Sequence, residues 1–200
     1  MSDEALLEVL EEARVVGDLG PAELSSHLRN ARALAAGVVA PGRFLDLGTG
    51  AGVPGLVLAL EWPSARVTLL DGSTARIERL HERIGRLGLE GRVEARAARA
   101  EEAGHLPEFR EQFDLVTARS FGTPATTAEC GAGLVAVGGI LAVSEPPHSE
   151  GQRWNDQALA GLGLAIEGSP NTGWIHLRKV APTPVDRPRR VGVPNKRPLW

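Results

Sequence analysis

Apolar positions Leu6, Leu7, Val9, Leu10, Ala13 and Val16 recur at helical spacing with glutamates between them, and Gly17 closes the run. Gly20-Pro21 reopens the chain, and Leu24, His27, Leu28, Ala31, Leu34 and Ala35 trace a second amphipathic helix ending at Gly37. From Arg43 the pattern changes to short apolar runs alternating with helical stretches. Residues 43–48, 66–71, 92–96, 113–118 and 139–144 read as strands. Helices are expected near 53–60, 74–87 and 123–136, with a short irregular piece around 100–111. Strands alternating with helices imply a parallel sheet covered on both faces. After Pro146-Pro147 a helix over 150–160 leads to two further runs, 162–167 and 174–180. The turn-rich link Ser169-Pro170-Asn171-Thr172-Gly173 between them suits an antiparallel pair. The pattern therefore predicts five parallel strands and a terminal hairpin in one domain: a helical cap (1–40), an α/β core (43–180) and a proline-rich tail (181–200).

Composition adds little to this picture until charge is located. With 42% apolar and 24% charged residues the chain is ordinary globular material, and no segment approaches the ~20 apolar residues of a membrane span. The start shows no basic region followed by an apolar run, and the single Cys130 suits a reducing compartment, so a cytoplasmic location is expected. The net charge of −3 argues weakly against a nucleic-acid partner. Residues 178–200, however, hold seven Lys/Arg against Asp186 alone, which makes the end of the chain +6 and the rest −9. A basic arm projecting from an acidic body is expected. Its arginines and lysines, Arg189, Arg190, Lys196 and Arg197 among them, can neutralise phosphates.

The strongest local signal is the strand-to-helix passage Phe44-Leu-Asp-Leu-Gly-Thr-Gly-Ala-Gly-Val-Pro-Gly55. Read as Gly50-x-Gly52-x-x-Gly55 with Asp71 further on, it matches a dinucleotide fingerprint. Read as Asp46-x-Gly48-x-Gly50-x-Gly52, it resembles the first motif of class I S-adenosylmethionine-dependent methyltransferases. A carboxylate at Asp46 would oppose a pyrophosphate and attract the ammonium and sulfonium of S-adenosylmethionine, which favours the second parse. Asp71, at a strand end, is placed to accept hydrogen bonds from ribose hydroxyls with either ligand.

Several motifs, in order, are similar to those of one family. The loop ending in Val53-Pro54-Gly55, the segment Thr68-Leu-Leu-Asp71, Arg99-Ala-Glu-Glu102, Phe113-Asp-Leu-Val-Thr-Ala-Arg119-Ser-Phe121 and the tail Pro188-Arg-Arg-Val-Gly-Val-Pro-Asn-Lys-Arg-Pro-Leu199 resemble the RsmG (GidB) family of small-subunit ribosomal RNA guanine-N7 methyltransferases. The likeness runs over about residues 20–200. It implies a Rossmann-like class I methyltransferase fold: a mostly parallel seven-stranded sheet with a terminal antiparallel hairpin and a short N-terminal helical cap. It also implies S-adenosyl-L-methionine as cofactor, with contacts on Gly48, Val53, Ala100, Glu101 and Arg119, alongside Asp46, Gly50, Gly52 and Asp71 of the loop and second strand. The stretch His27-Leu-Arg-Asn30 resembles a family segment near the active-site mouth and makes His27 a candidate RNA contact.

The expected partner is small-subunit ribosomal RNA or the 30S subunit, with the chain acting as a monomer, without metal and without a membrane. Guanine N7 carries a free lone pair, so positioning and electrostatics suffice and no base is required. Strand four ends Thr117-Ala-Arg-Ser-Phe121, without the Asn/Asp-Pro-Pro-Tyr/Phe of exocyclic amine methylation, and Cys130 falls inside a helix, away from a pyrimidine-attacking position. Arg119 is the candidate for the transfer step, against a surface ion pair as the bland alternative. Arg76, Arg79, Arg83 and Arg86, interleaved with Glu78 and Glu82, read as a solvated helix face. Two features depart from the family: the Asn-Leu-Thr stretch before the cap is missing, and Val143-Ser-Glu145-Pro-Pro stands where the family tends to show Leu-Lys-Gly, an anion expected to repel phosphate. A divergent RNA-binding paralogue with little catalysis and a small-molecule methyltransferase stay open as alternatives.

Overall fold

The computed structural model describes residues 3–146, 149, 152–168 and 173–200. Two helices, α1 (Asp3–Val15) and α2 (Leu24–Gly37), precede the sheet, and the apolar stripe of α1 (Leu6, Val9, Leu10 and Ala13) is buried as its spacing demands. The core alternates β1 (Arg43–Leu47), α3 (Gly55–Glu61), β2 (Arg66–Asp71), α4 (Thr74–Arg86), β3 (Val93–Ala97), α5 (Ala100–Ala103), β4 (Phe113–Ala118), α6 (Pro124–Ala132) and β5 (Val135–Ser144). It ends with α7 (Asp156–Ala160), β6 (Leu164–Gly168), β7 (Trp174–Lys179) and α8 (Val193–Lys196). The seven strands run in the order β3-β2-β1-β4-β5-β7-β6, all parallel except β7, which lies antiparallel to both neighbours. Residues 169–172 of the expected turn lie outside the described residues, but the antiparallel pair it joins is present.

The core lies on both faces of the sheet: one cluster packs the cap, α3 and α4 on the face carrying Phe44, Leu69, Leu115 and Ala142, and a second packs α5–α7 on the face carrying Leu45, Leu70, Val116 and Leu141. The strand order reverses between β1 and β4, so their carboxyl ends open the crevice where ligands of open parallel sheets bind. Among the described residues no helix is long and apolar enough to cross a membrane.

Three boundaries differ from the sequence expectation. Helix α6 starts at a Thr123 cap, whose side chain accepts from the Thr126 amide, and stops at Ala132 instead of residue 136. Strand β5 begins at Val135, because the ladder with β4 slips between the Phe113–Val135 and Leu115–Ile140 pairs and Gly138, at φ +90°, absorbs the bulge. Helix α7 begins only at Asp156, where the Asn155 side chain accepts from the Ala158 amide; residues 150 and 151 lie outside the described residues.

The basic tail does not project. Lys179 is fully buried and donates to the Ala132 carbonyl at 2.7 Å, to Thr183 and, as an ion pair at 3.0 Å, to Glu111. Arg110 forks onto the carbonyls of Thr183 (2.8 Å) and Arg187 (2.9 Å), His105 meets the Pro188 carbonyl at 2.7 Å, and Trp200 Nε1 donates to the Arg153 carbonyl at 3.0 Å. The whole segment is thereby folded across the molecule, with α8 where loop was expected.

Candidate active site

The turn after β1 is pinned by two carboxylates in different ways. Asp46 is completely buried: Oδ1 accepts from Thr117 at 2.8 Å, and Oδ2 accepts from Thr49 at 2.6 Å and the Gly55 amide at 3.0 Å. Burial pushes its carboxyl above the ordinary value, while these three donors and the charge of Arg119 pull it back. Asp46 thus ties the start of α3 and the end of β4 to the loop. This corrects the expectation of a ligand-facing acid, since no oxygen of Asp46 reaches the crevice and its charge acts only at a distance. Asp71 sits at the end of β2 with Oδ2 accepting from the Gly50 amide at 3.0 Å and Oδ1 from the Ser73 amide at 2.9 Å. Each oxygen keeps a lone pair, and the side chain lines the crevice.

That crevice is a cavity of about 300 Å³ over the carboxyl ends of β1, β2 and β3. Gly48, Asp71, Ala100 and Glu101 line it as expected, together with Leu70, Phe121, Thr126 and Cys130. Gly48 has φ +67°, and a Cβ there would meet the Phe121 ring at 2.6 Å, so both the turn and the close approach require glycine. Gly50, Gly52 and Val53 lie outside this lining. A Cβ on Gly52 would strike Leu56 and Leu80, so that glycine lets α3 and α4 pack close. Val53 offers its carbonyl to Arg119 Nε at 3.3 Å. Cys130 is buried on α6, and burial, then the charges of Glu101 and Glu129, push its thiol above the usual value and disfavour the thiolate.

The tail closes the cavity. Gly192, Asn195 and Lys196 form one wall, held by the Gly192 amide donating to Glu101 at 2.9 Å and Thr126 donating to the Pro194 carbonyl at 3.1 Å. Arg189 does not face outward for RNA. Its main-chain amide (2.9 Å), Nε (2.8 Å) and NH2 (2.6 Å) all bond the fully buried carboxylate of Glu129 on α6. Arg178 pairs with Glu167, Lys179 with Glu111 and Arg187 with Asp186, so the +6 arm reduces to Arg190, Lys196 and Arg197, exposed and without an acidic partner among the described residues. These three, with Arg189, line a second groove of about 550 Å³.

Arg119, just past β4, is held by Val53 and by His27, whose Nδ1 is 2.7 Å from NH1. No carboxylate forms an ion pair with it among the described residues, which removes the surface ion-pair reading; burial lowers its pKa and Asp46 opposes the shift. His27 is buried against it, so where an RNA contact was expected the structure shows an internal one. One residue without a sequence signal completes the frame. Asp18, between α1 and α2, receives Arg79 in a fork (2.8 and 2.6 Å) and Arg83 at 2.7 Å, which docks the cap on α4; the arginine face is therefore only partly solvated, and Arg83 is buried. Glu145 is enclosed by Trp154 (3.2 Å), Arg153 (3.3 Å) and Ser149, so its charge is spent internally, contrary to the expected repulsion of phosphate.

An acid at the end of β2, glycine backbone at the turn and an apolar pocket of Leu70, Ala100 and Cys130 fit the size and chemistry of an adenosine moiety. Together with the sheet order they define a class I S-adenosylmethionine-dependent methyltransferase. The GidB family model, described as rRNA small subunit methyltransferase G, matches residues 4–157. The chain belongs to that family. A Pelotomaculum thermopropionicum protein named ribosomal RNA small subunit methyltransferase G is 41% identical over 165 residues, covering 78% of this chain and 69% of that one. A Moorella thermoacetica protein of the same name is 36% identical over 168 residues, with the same coverage. The crystal structure of a methyltransferase from Geobacter sulfurreducens matches over 90% of both chains with TM-score 0.58 at 16% identity, a likeness of fold.

Proposed function

We propose that the protein transfers the methyl group of S-adenosylmethionine to N7 of a guanosine in small-subunit ribosomal RNA, acting in the cytoplasm as a single chain on RNA within the 30S particle. The observation that carries the reading is the joining of an adenosine-sized cavity to a wall made by the tail, whose other face bears Arg190 and Arg197, with Lys196 lining both sides. Cofactor and phosphate backbone would then meet on opposite sides of one segment.

When bound, S-adenosylmethionine supplies an electrophilic methyl on a cationic sulfur. Gly48, Asp71, Ala100 and Glu101 hold the nucleoside, with Asp71 accepting from the ribose hydroxyls and the apolar walls excluding water. The Arg119 guanidinium, at the carboxyl ends of β1 and β4, orients a carboxylate or the guanine edge; its planar donors suit either. N7 brings its own lone pair, so no side chain needs to remove a proton before transfer. Arg190, Lys196 and Arg197 meet phosphates and set the register of the RNA. No buried base faces the cavity from β4 or α6, which agrees with this division of labour.

The test is transfer from labelled S-adenosylmethionine to small ribosomal subunits lacking the modification, run beside naked rRNA and beside Arg119→Ala. The reading expects label in guanosine N7 of the particle and none with the variant. Cofactor binding without any transfer would leave the RNA-binding paralogue as the better reading.

A further inference from the structure

His27 and Arg119 come from distant parts of the chain, α2 and the end of β4, and meet at 2.7 Å. A guanidinium has donors only, so Nδ1 of His27 must accept, and the ring must be neutral with its proton on Nε2. That Nε2 is buried with no partner at full hydrogen-bond geometry, the Gly20 backbone nearby giving its proton some support. The bond to Arg119 is therefore the contact of good geometry that holds the ring. We propose that His27 is the positioning residue of Arg119, a neutral acceptor that fixes the direction of the guanidinium where methyl donor and target base must meet.

This rests on the methyltransferase reading only for the purpose of the aim; the pairing itself stands on geometry. Arg119 Nε is already fixed on the Val53 carbonyl at 3.3 Å, which leaves the plane of the guanidinium free to swing about that contact. His27 supplies the second point and removes the swing. The two anchors lie on the cofactor loop and on the cap, so α2 becomes part of the site through one side chain. Protonation of His27 would set two cations against each other in a buried place. Burial, and then the charge of Arg119, hold the ring below its usual value, with the Gly20 backbone opposing. The charged groups that face the pair are Arg119 itself and, behind it on β1, Asp46, whose own carboxyl is raised by burial. Arg119 direction is therefore kept above the lowered His27 value and lost as pH falls through it.

Two variants separate positioning from packing. His27→Asn places Oδ1 at the same bond count from Cβ as Nδ1 and keeps the acceptor; His27→Leu keeps bulk and removes it. His27→Leu is expected to stay folded and to lose about tenfold or more in kcat/KM, while His27→Asn stays within about threefold and loses the acid limb of the pH profile. Retention of that limb in His27→Asn would assign it to Asp46 and overturn the proposal. Nitrogen-15 NMR of the His27 ring supplies a readout that needs no RNA: an unprotonated Nδ1 in wild type, and a titration midpoint that rises in Arg119→Met. A protonated Nδ1, an unmoved midpoint or wild-type turnover in His27→Leu would each overturn it. Failure of the functional reading shows instead as absence of transfer by the wild-type chain while the NMR coupling persists.

Discussion

Arg189→Met asks whether the tail is structure or RNA-binding arm. The substitution keeps most of the apolar stem and removes the guanidinium, so Glu129, at 0% exposure, loses two of its three hydrogen bonds and its counter-charge. Two bonds to a charged acceptor at about 1.5–3 kcal/mol each give about 3–6 kcal/mol, and breaking a buried pair by removing one partner gives about 3–5 kcal/mol. The agreement sets the expected loss, with one ceiling: the tail can lift from α6 and expose Glu129, so the loss cannot exceed the free energy that docks residues 188–199. At about 2–4 °C per kcal/mol for a domain of this size, the melting temperature should fall by about 6–20 °C. Glu129→Gln added to the same chain should recover part of it, because the neutral amide is cheaper to leave unpaired. Calorimetry with S-adenosylhomocysteine should show weaker binding, since Gly192, Asn195 and Lys196 form a wall of the cavity. A phosphate-contacting arginine would behave otherwise. A melting temperature unchanged within about 1 °C, unchanged cofactor affinity and a salt slope of RNA binding reduced by about 0.7–0.9 would refute the placement of Arg189.

Replacing Arg190, Lys196 and Arg197 together by alanine should lower the slope of log affinity for RNA against log salt by about 2–3 and leave the melting temperature nearly unmoved; an unchanged slope would remove the tail from the RNA interface. Gly48→Ala places a Cβ 2.6 Å from the Phe121 ring at φ +67° and should weaken S-adenosylhomocysteine binding about tenfold or more, equivalent to about 1.4 kcal/mol; wild-type affinity in calorimetry would contradict the close approach. Burial acts against ionisation of Asp18, yet its bonds to Arg79 and Arg83 leave the carboxyl below the ordinary 3.8. Its contribution is therefore present above that value and lost as pH falls through the folded-state value. Asp18→Asn should melt lower than wild type at pH 7, with the difference vanishing in strong acid; a pH-independent gap would show that the ionised form plays no part.

The alternation of elements was legible because each is bounded by residues that act locally: Gly17 and Gly37 after the cap helices, Ser73 at the start of α4, and the glycine turn after β1. Strand β5 was read short because Gly138-Gly139 look like a boundary, whereas a bulge lets the ladder run through them. The cavity lining was legible where its residues sit at or just after strand ends, Gly48 and Asp71 after β1 and at the end of β2, Ala100 and Glu101 at the start of α5. The site was illegible where a charge is consumed by a partner far along the chain. Arg189 finds Glu129 sixty positions away, and Asp18 finds Arg79 and Arg83 more than sixty positions on. No local pattern tells a paired charge from a free one, so a net +6 at the tail overstated what is offered to phosphate. Asp46 shows the same effect in the loop motif: spacing placed the acid correctly in sequence, and only the fold shows that its oxygens face Thr49, Thr117 and Gly55.

The central claim is methyl transfer to guanine N7 in small-subunit rRNA, and mass-spectrometric mapping of 7-methylguanosine tests it most directly. Ribosomal RNA would be compared from cells carrying the wild-type gene, cells lacking it, and cells carrying Arg119→Ala. The account expects one 7-methylguanosine of the small-subunit rRNA to be present with the wild-type gene and absent in both other strains. Identical 7-methylguanosine in all three would contradict it.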